Sequence, residues 1–116
     1  MGPLLLSFNI NAEKSEALAS VARRFGVCVQ PVQKNAQGLT LAELCGGCQN
    51  GETLISGPLA YFDDEMIVLV NFDPEIFSHF LDELRKTCSV RLKAVMTETN
   101  SRWNACQLHQ ELIREE

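Results

Sequence analysis

The stretch MIVLVNFDPEIFSHFLDELRK, residues 66–86, decides the fold of this chain. Its first five residues are all apolar, which is typical of a strand buried deep in a sheet. Asn71-Phe72-Asp73 interrupts this run. Asp73 followed by Pro74 predicts a helix start, because aspartate caps free N–H groups and proline suits the first helical position. Apolar residues then recur at helical spacing and predict one buried helix face: Phe77, Phe80, Leu81 and Leu84.

The same order of signals occurs at the N-terminus. Leu4 to Phe8 predicts a strand, and the polar break Asn9-Ile10-Asn11 resembles the break at 71–73. A helix follows, which Gly26 ends because glycine accepts a left-handed C-cap conformation. Its apolar face consists of Leu18, Val21, Ala22 and Phe25. With strands at 27–31 and Val90–Met96, each half of the chain predicts one βαβ unit; true duplication is left open.

Two βαβ units in a short chain predict an α+β fold, a ferredoxin-like βαββαβ sandwich with both helices on one sheet face. The alternative is a small open α/β sheet with helices on both faces. In the first arrangement the other sheet face is open. Arg91 and Lys93 would lie on that face if Leu92 faces the helices.

The 116 residues suit a single domain, 1–116, with four parts. We assign residues 1–32 to the first βαβ unit, 33–65 to an insert, 66–96 to the second unit and 97–116 to a C-terminal helix. In the insert, Thr40 and Glu43 have the spacing of a capping box and predict a short helix. Its acidic end, residues 63–65, is interpreted as a solvated loop.

Net charge and cysteine content limit the expected binding partners and cellular location. The net charge of −5 disfavours nucleic-acid binding, since a phosphate backbone would be repelled overall. No apolar run approaches the roughly 20 residues of a membrane helix, so no membrane association is expected. An odd number of cysteines, five, without an export signal predicts reduced thiols and a cytoplasmic location.

Cys45-Gly46-Gly47-Cys48 is a candidate thiol or metal motif. The capping box before it places Cys45 at the end of a helix, where the dipole disfavours a thiolate. Zinc also needs further ligands, and the chain has no second paired cluster. We therefore expect a glycine-rich helix stop and no cofactor, with Cys45 and Cys48 as weak metal candidates only.

The segment after the last strand offers a candidate anion site. Hydroxyl, amide and cationic groups would converge at the start of the C-terminal helix, with Asn100 or Ser101 as its N-cap and Trp103 opening it. The candidates are Lys93, Thr97, Thr99, Asn100, Ser101, Arg102 and Trp103. We favour a structural interpretation over the anion site: the same residues cap the turn, and Trp103 packs it onto the sheet.

This tail resembles a known family. Residues 92–100 have the sequence LKAVMTETN, with Trp103 and a helix after them. They are similar to the tail of small bacterial proteins known only as a domain of unknown function, which typically have LKAVLTPTN followed by tryptophan. Met96 and Glu98 depart from that pattern. The resemblance implies a bacterial origin and a fold, but no reaction.

These features favour a non-catalytic function. The sequence shows no phosphate-binding glycine loop, nucleophile elbow or paired-histidine helix. We expect a regulatory, ligand-binding or self-associating module, with a homodimer formed through the open sheet face or a strand edge. One alternative is a small thiol- or metal-dependent protein that uses Cys45 and Cys48. The other is a domain that binds a small anionic ligand with the Thr97–Asn100 turn.

Overall fold

The computed structural model describes residues 2–32, 39–45, 62–87 and 90–115. Within these ranges, four strands and four α-helices alternate. In order they are β1 (Leu4–Phe8), α1 (Ala12–Arg24), β2 (Cys28–Val32), α2 (Leu41–Cys45), β3 (Met66–Val70), α3 (Pro74–Thr87), β4 (Leu92–Val95) and α4 (Ala105–Glu115). A short 3₁₀ helix, Asn100–Arg102, precedes α4.

The strands form one mixed sheet in the order β2-β1-β3-β4. β1 is parallel to β2, β3 is parallel to β4, and the central pair β1 and β3 is antiparallel. Each βαβ unit therefore keeps its own two strands side by side. A ferredoxin-like sheet is built from split βαβ units, in which another strand separates the two. The observed order differs from the ferredoxin-like one and is that of a small open mixed α/β sheet.

Helices cover both faces of this sheet. One core cluster joins α1 and α3 to Leu5, Ile67 and Leu69, and the other joins α2 and α4 to alternate residues such as Leu6 and Val68. The expectation of an open sheet face is therefore wrong. Every residue of β3 is buried, as a strand with helices on both faces requires.

The direction of β4 side chains also differs from the expectation. Leu92 packs into the cluster with α4, not into the one with α1 and α3. Lys93 consequently lies on the α3 side, because successive strand side chains alternate between faces. Arg91 precedes the strand and pairs with Asp64.

The two halves repeat each other in backbone detail. Asn9 after β1 and Asn71 after β3 both have a positive φ of 59°, a conformation that asparagine tolerates better than most residues. Two residues later, Asn11 accepts a hydrogen bond from Lys14 N at 2.8 Å. At the matching place Asp73 accepts one from Glu75 N at 3.0 Å. Equivalent polar breaks thus turn each strand into its helix.

The repeat extends beyond the βαβ units. The residue before α2, Thr40, forms an isolated antiparallel bridge with the residue before α4, Asn104. At the sheet centre, Leu6 and Val68, the third residues of their strands, face each other across the antiparallel pair. Both pairs join equivalent positions of the two halves, as an approximate two-fold axis between the halves requires. The elements of the described ranges accordingly form two βαβα repeats, with α2 in the first repeat where α4 lies in the second.

The outer strands carry features that hinder pairing with a further strand. In β2, Pro31 lacks an N–H group, and proline is confined to strand edges for that reason. In β4, the Val95 carbonyl accepts a hydrogen bond from Asn100 Nδ2 at 3.0 Å, and Lys93 places a charge on the strand. Both outer edges are therefore poor templates for strand addition.

None of the helices in the described ranges is long and apolar enough to cross a membrane.

Candidate functional site

The segment from Thr97 to Asn104 forms a turn and the 3₁₀ helix between β4 and α4. Asn100 holds this turn together: its Oδ1 accepts a hydrogen bond from Thr97 N at 2.7 Å, and its Nδ2 donates to Val95 O. Thr97 Oγ1 accepts from Asn100 N at 3.1 Å, and Ser101 Oγ donates to Glu98 O at 2.9 Å. Three of the candidate anion ligands therefore use their polar groups within the turn.

The start of α4 lies later than expected. Asn104 is the residue that caps it, since its Oδ1 accepts a hydrogen bond from Gln107 N at 2.8 Å. Asn100 and Ser101 belong to the 3₁₀ helix instead, and Trp103 is the residue that ends that helix. The prediction that Trp103 opens α4 is wrong, because the 3₁₀ helix precedes α4 and Asn104, after Trp103, caps it.

Lys93 is separate from the turn. Its Nζ donates to Val90 O at 3.1 Å. The side chain borders a groove between β4 and α3 together with Leu69, Phe77, Leu81, Ala94 and Val95. The structure does not bring Lys93 to the other candidate anion ligands.

Three of the candidates do meet at one cleft. Thr99, Arg102 and Trp103 line a space of about 390 Å³ together with Glu98. Trp103 also packs against the core cluster under α4, and its carbonyl accepts a hydrogen bond from Leu41 N at 3.0 Å. The wall of the cleft is thus fixed to the body of the protein.

Arg102 supplies the positive charge of this cleft. Its side chain is exposed and forms no ion pair with any residue in the described ranges. Glu98 contributes a negative charge to the same space. An anionic group beside Arg102, carried by a ligand with a planar body that contacts the Trp103 ring, would match this lining.

Sequence reasoning missed a second polar cluster, at the opposite end of the strands. Asp64 Oδ1 lies 2.6 Å from Arg91 Nη1, and Asp64 Oδ2 lies 2.7 Å from His109 Nε2. The imidazole of His109 stacks on Phe62, with ring centroids 4.4 Å apart and planes 7° from parallel. Asn9 Nδ2 donates to the carbonyls of Phe62 and Asp64, at 2.8 and 3.1 Å.

This cluster fastens α4 to the sheet. Its two pairs join residues that are 27 and 45 positions apart in the sequence. No local sequence pattern therefore predicts the cluster. The expectation of a solvated acidic loop at 63–65 is wrong for Asp64, which is half-buried and doubly paired. Within the described residues no serine or cysteine hydrogen-bonds to His109 as the nucleophile of a catalytic triad would.

The Asp64 pairings predict a loss of stability in acid. The hydrogen bond from His109 and the charge of Arg91 lower the pKa of the Asp64 carboxyl below its ordinary value. A folded-state pKa below the unfolded one contributes stability that is present above the unfolded pKa and lost as pH falls through the folded one. We expect Asp64→Asn to destabilise the protein near neutrality and the difference from the native protein to shrink below about pH 4.

Unfolding free energies measured by urea denaturation at several pH values would check this. Asp82→Asn is the matched control, since Asp82 is well exposed and lies 3.8 Å from Arg85. A difference between native protein and Asp64→Asn that stays constant down to about pH 3 would contradict the assignment.

Residues 65–116 match the model of a family described as a domain of unknown function (DUF3783). No curated protein and no solved structure matches the chain. The matched residues hold β3, α3, β4 and α4, so they comprise the whole second repeat, including the cleft. The resemblance to a family of unknown function, inferred from the tail, is confirmed in this form.

The cysteine motif lies outside the matched residues. Cys45 is the last residue of α2, as the capping box predicts: Thr40 N donates to Glu43 Oε1 at 3.1 Å, and Glu43 N donates to Thr40 Oγ1 at 3.2 Å. Burial raises the pKa of the Cys45 thiol. Gly46, Gly47 and Cys48 lie outside the described residues. In the described ranges, no three histidine, cysteine, aspartate or glutamate side chains are grouped to hold a metal ion.

Proposed function

We propose that this protein is a non-catalytic module that binds a small anionic ligand in the cleft of Thr99, Arg102 and Trp103. The observation that carries the proposal is the guanidinium of Arg102, which has no ion-pair partner in the described ranges and borders the cleft beside an aromatic ring. A ligand carboxylate or phosphate would complete the arginine's hydrogen bonds. The cleft volume also falls in the usual range of small-molecule sites.

The chemistry of the cleft limits what the ligand is. Because Glu98 lines the same space, a ligand that is negative over its whole surface would be repelled. A singly charged aromatic carboxylate fits the lining better than inorganic phosphate does, since its ring can lie against Trp103 while its acid group meets Arg102. We therefore propose an aromatic or heteroaromatic carboxylate as the ligand class.

The hydrogen-bonded residues of the turn also support the proposal of a binding module. The turn residues Thr97, Asn100 and Ser101 hold the backbone that carries Arg102. Residues committed to such a role keep the cleft preformed, which lowers the entropic cost of binding. Together with the reduced thiols expected of the chain, this supports a binding module of a bacterial cytoplasm.

Self-association is a second candidate. The observation in its favour is Val95, which is 46% exposed beside the groove of Phe77 and Leu81. Two copies that meet through this patch would form a homodimer without strand addition. Light scattering after size exclusion separates the two candidates, since a monomer at high concentration excludes the dimer and leaves the cleft proposal intact.

The anion proposal is tested with Trp103, the chain's single tryptophan, as reporter. Benzoate added to the native protein is expected to change the Trp103 fluorescence saturably. Arg102→Gln should weaken binding at least about tenfold, because a charge-assisted hydrogen bond contributes roughly 1.5–3 kcal/mol. Inorganic phosphate, tested in parallel, should bind more weakly.

The matched control is Arg23→Gln, which removes the same charge from an exposed position on α1. Its benzoate affinity should equal that of the native protein. A fluorescence change that does not saturate, or equal affinities of Arg102→Gln and Arg23→Gln, would overturn the proposal.

A further inference from the structure

Two cysteines line one cavity at the end of the sheet that lies beside the N-terminus. The cavity measures about 200 Å³, and its walls are Gly2, Pro3, Leu4, Gly26, Cys28 and Cys45. Cys28 belongs to β2 and is exposed, while Cys45 ends α2 and is half-buried; both are free thiols. The walls of one cavity therefore include two cysteines from different elements.

A third sulfur, that of Met96, lies beside the Cys45 thiol. Cys45 Sγ is 3.7 Å from Met96 Sδ, and Met96 follows β4 and packs against the core cluster under α4. The thioether is thereby held against the thiol by the body of the protein. All three candidate donors, two thiols and one thioether, are soft sulfur ligands.

The cavity is also open to entry. Neither Gly2 nor Gly26 has any atom within 4 Å of the position that a Cβ would occupy. These two walls carry no side chain that would close the space over Cys28. A small ion can reach the sulfur atoms from this side.

We propose that Cys28 and Cys45, with Met96 as a third donor, bind a soft monovalent cation, Cu(I). Thiolate and thioether ligands select Cu(I) over harder metals. A structural zinc site needs four nitrogen, thiolate or oxygen ligands, and the described ranges hold no group of three such side chains. Cu(I) accepts fewer than four ligands, and a thioether can be one of them. This set of two thiols and one thioether therefore suits Cu(I) better than zinc.

The protonation of the thiols sets the pH dependence. Each thiol releases its proton to solvent as its sulfur binds the metal, without any change in oxidation state. Cu(I) affinity should therefore increase as pH rises.

The test is an anaerobic competition between the full chain and bathocuproine disulfonate for Cu(I). One Cu(I) per native chain is expected. Cys28→Ser and Cys45→Ser should each weaken binding by about 100-fold or more, and Met96→Leu by about tenfold. Zn²⁺, added in place of Cu(I), should not bind in stoichiometric amount.

Two further cysteine variants locate the site. Cys106→Ala removes a buried thiol outside the cavity and should leave Cu(I) affinity unchanged. Cys48→Ser distinguishes the cavity pair from the sequence motif at 45–48. Because Cys28 is exposed, Cys28→Ser is the variant least able to disturb folding, and far-UV circular dichroism checks it. Native-like affinity in Cys28→Ser, or no competition by the native protein, would overturn the proposal.

Discussion

Phe80→Ala is expected to lower the free energy of unfolding by about 3–5 kcal/mol. The Phe80 side chain on α3 is fully buried. Its ring meets Phe25 edge-on, with centroids 5.7 Å apart, and Phe72 at 5.2 Å. The substitution would leave a cavity where α1, α3 and the sheet meet. Small domains are stable by roughly 5–15 kcal/mol in total, so this loss is a large share.

Urea denaturation followed by circular dichroism measures this effect. The midpoint should fall while the slope stays unchanged, because the surface exposed on unfolding is nearly the same. His79→Ala, at the neighbouring exposed position on α3, is the control and should change the midpoint little. Equal shifts in the two variants would contradict the assigned orientation of α3.

Leu41→Ala is expected to cost about 2–5 kcal/mol. α2 has only five residues, and so short a helix is not stable by itself. Leu41 is fully buried between α2 and the sheet face that the ferredoxin-like prediction left open. The side chain is therefore a main reason why α2 stays on the sheet.

The control for this variant is Ala42→Ser, at the next residue, which is exposed. The same denaturation measurement applies. A loss below about 1 kcal/mol for Leu41→Ala would mean that α2 does not cover the sheet, since surface substitutions usually stay within about 0.5 kcal/mol.

Local elements of this fold could be predicted closely from the sequence. The strands Leu4–Phe8 and Met66–Val70 have the predicted ends, and Asp73-Pro74 starts α3 where expected. These features depend on near neighbours in the chain: apolar runs, capping side chains and proline geometry. The capping box of α2 belongs to the same class.

Strand order could not be predicted in this way, because the apolar pattern within one strand does not determine which other strand pairs with it. One signal did favour the alternative fold. β3 is apolar at every position, whereas a sheet with one open face favours alternation of polar and apolar residues. That signal indicates helices on both faces, as the structure has them.

In the candidate site, too, contacts between near neighbours in the chain could be predicted and long-range contacts could not. The contacts within the turn at 97–101 link residues three to five positions apart, and the sequence suggested their capping role. Lys93 does not join them, because strand alternation turns its side chain toward α3. The pairings of Asp64 with Arg91 and His109 depend on the approach of β1, β3, β4 and α4, which no local pattern encodes.

The order of the strands is the basis of every other inference, and nuclear Overhauser contacts between backbone protons of a labelled sample measure it directly. The structure predicts contacts of β1 with β2 in the register Leu4–Cys28 and of β1 with β3 about the pair Leu6–Val68. It also predicts contacts of β3 with β4. Contacts that join β1 to β4 or β2 to β3, as in a sheet of split βαβ units, would contradict the account.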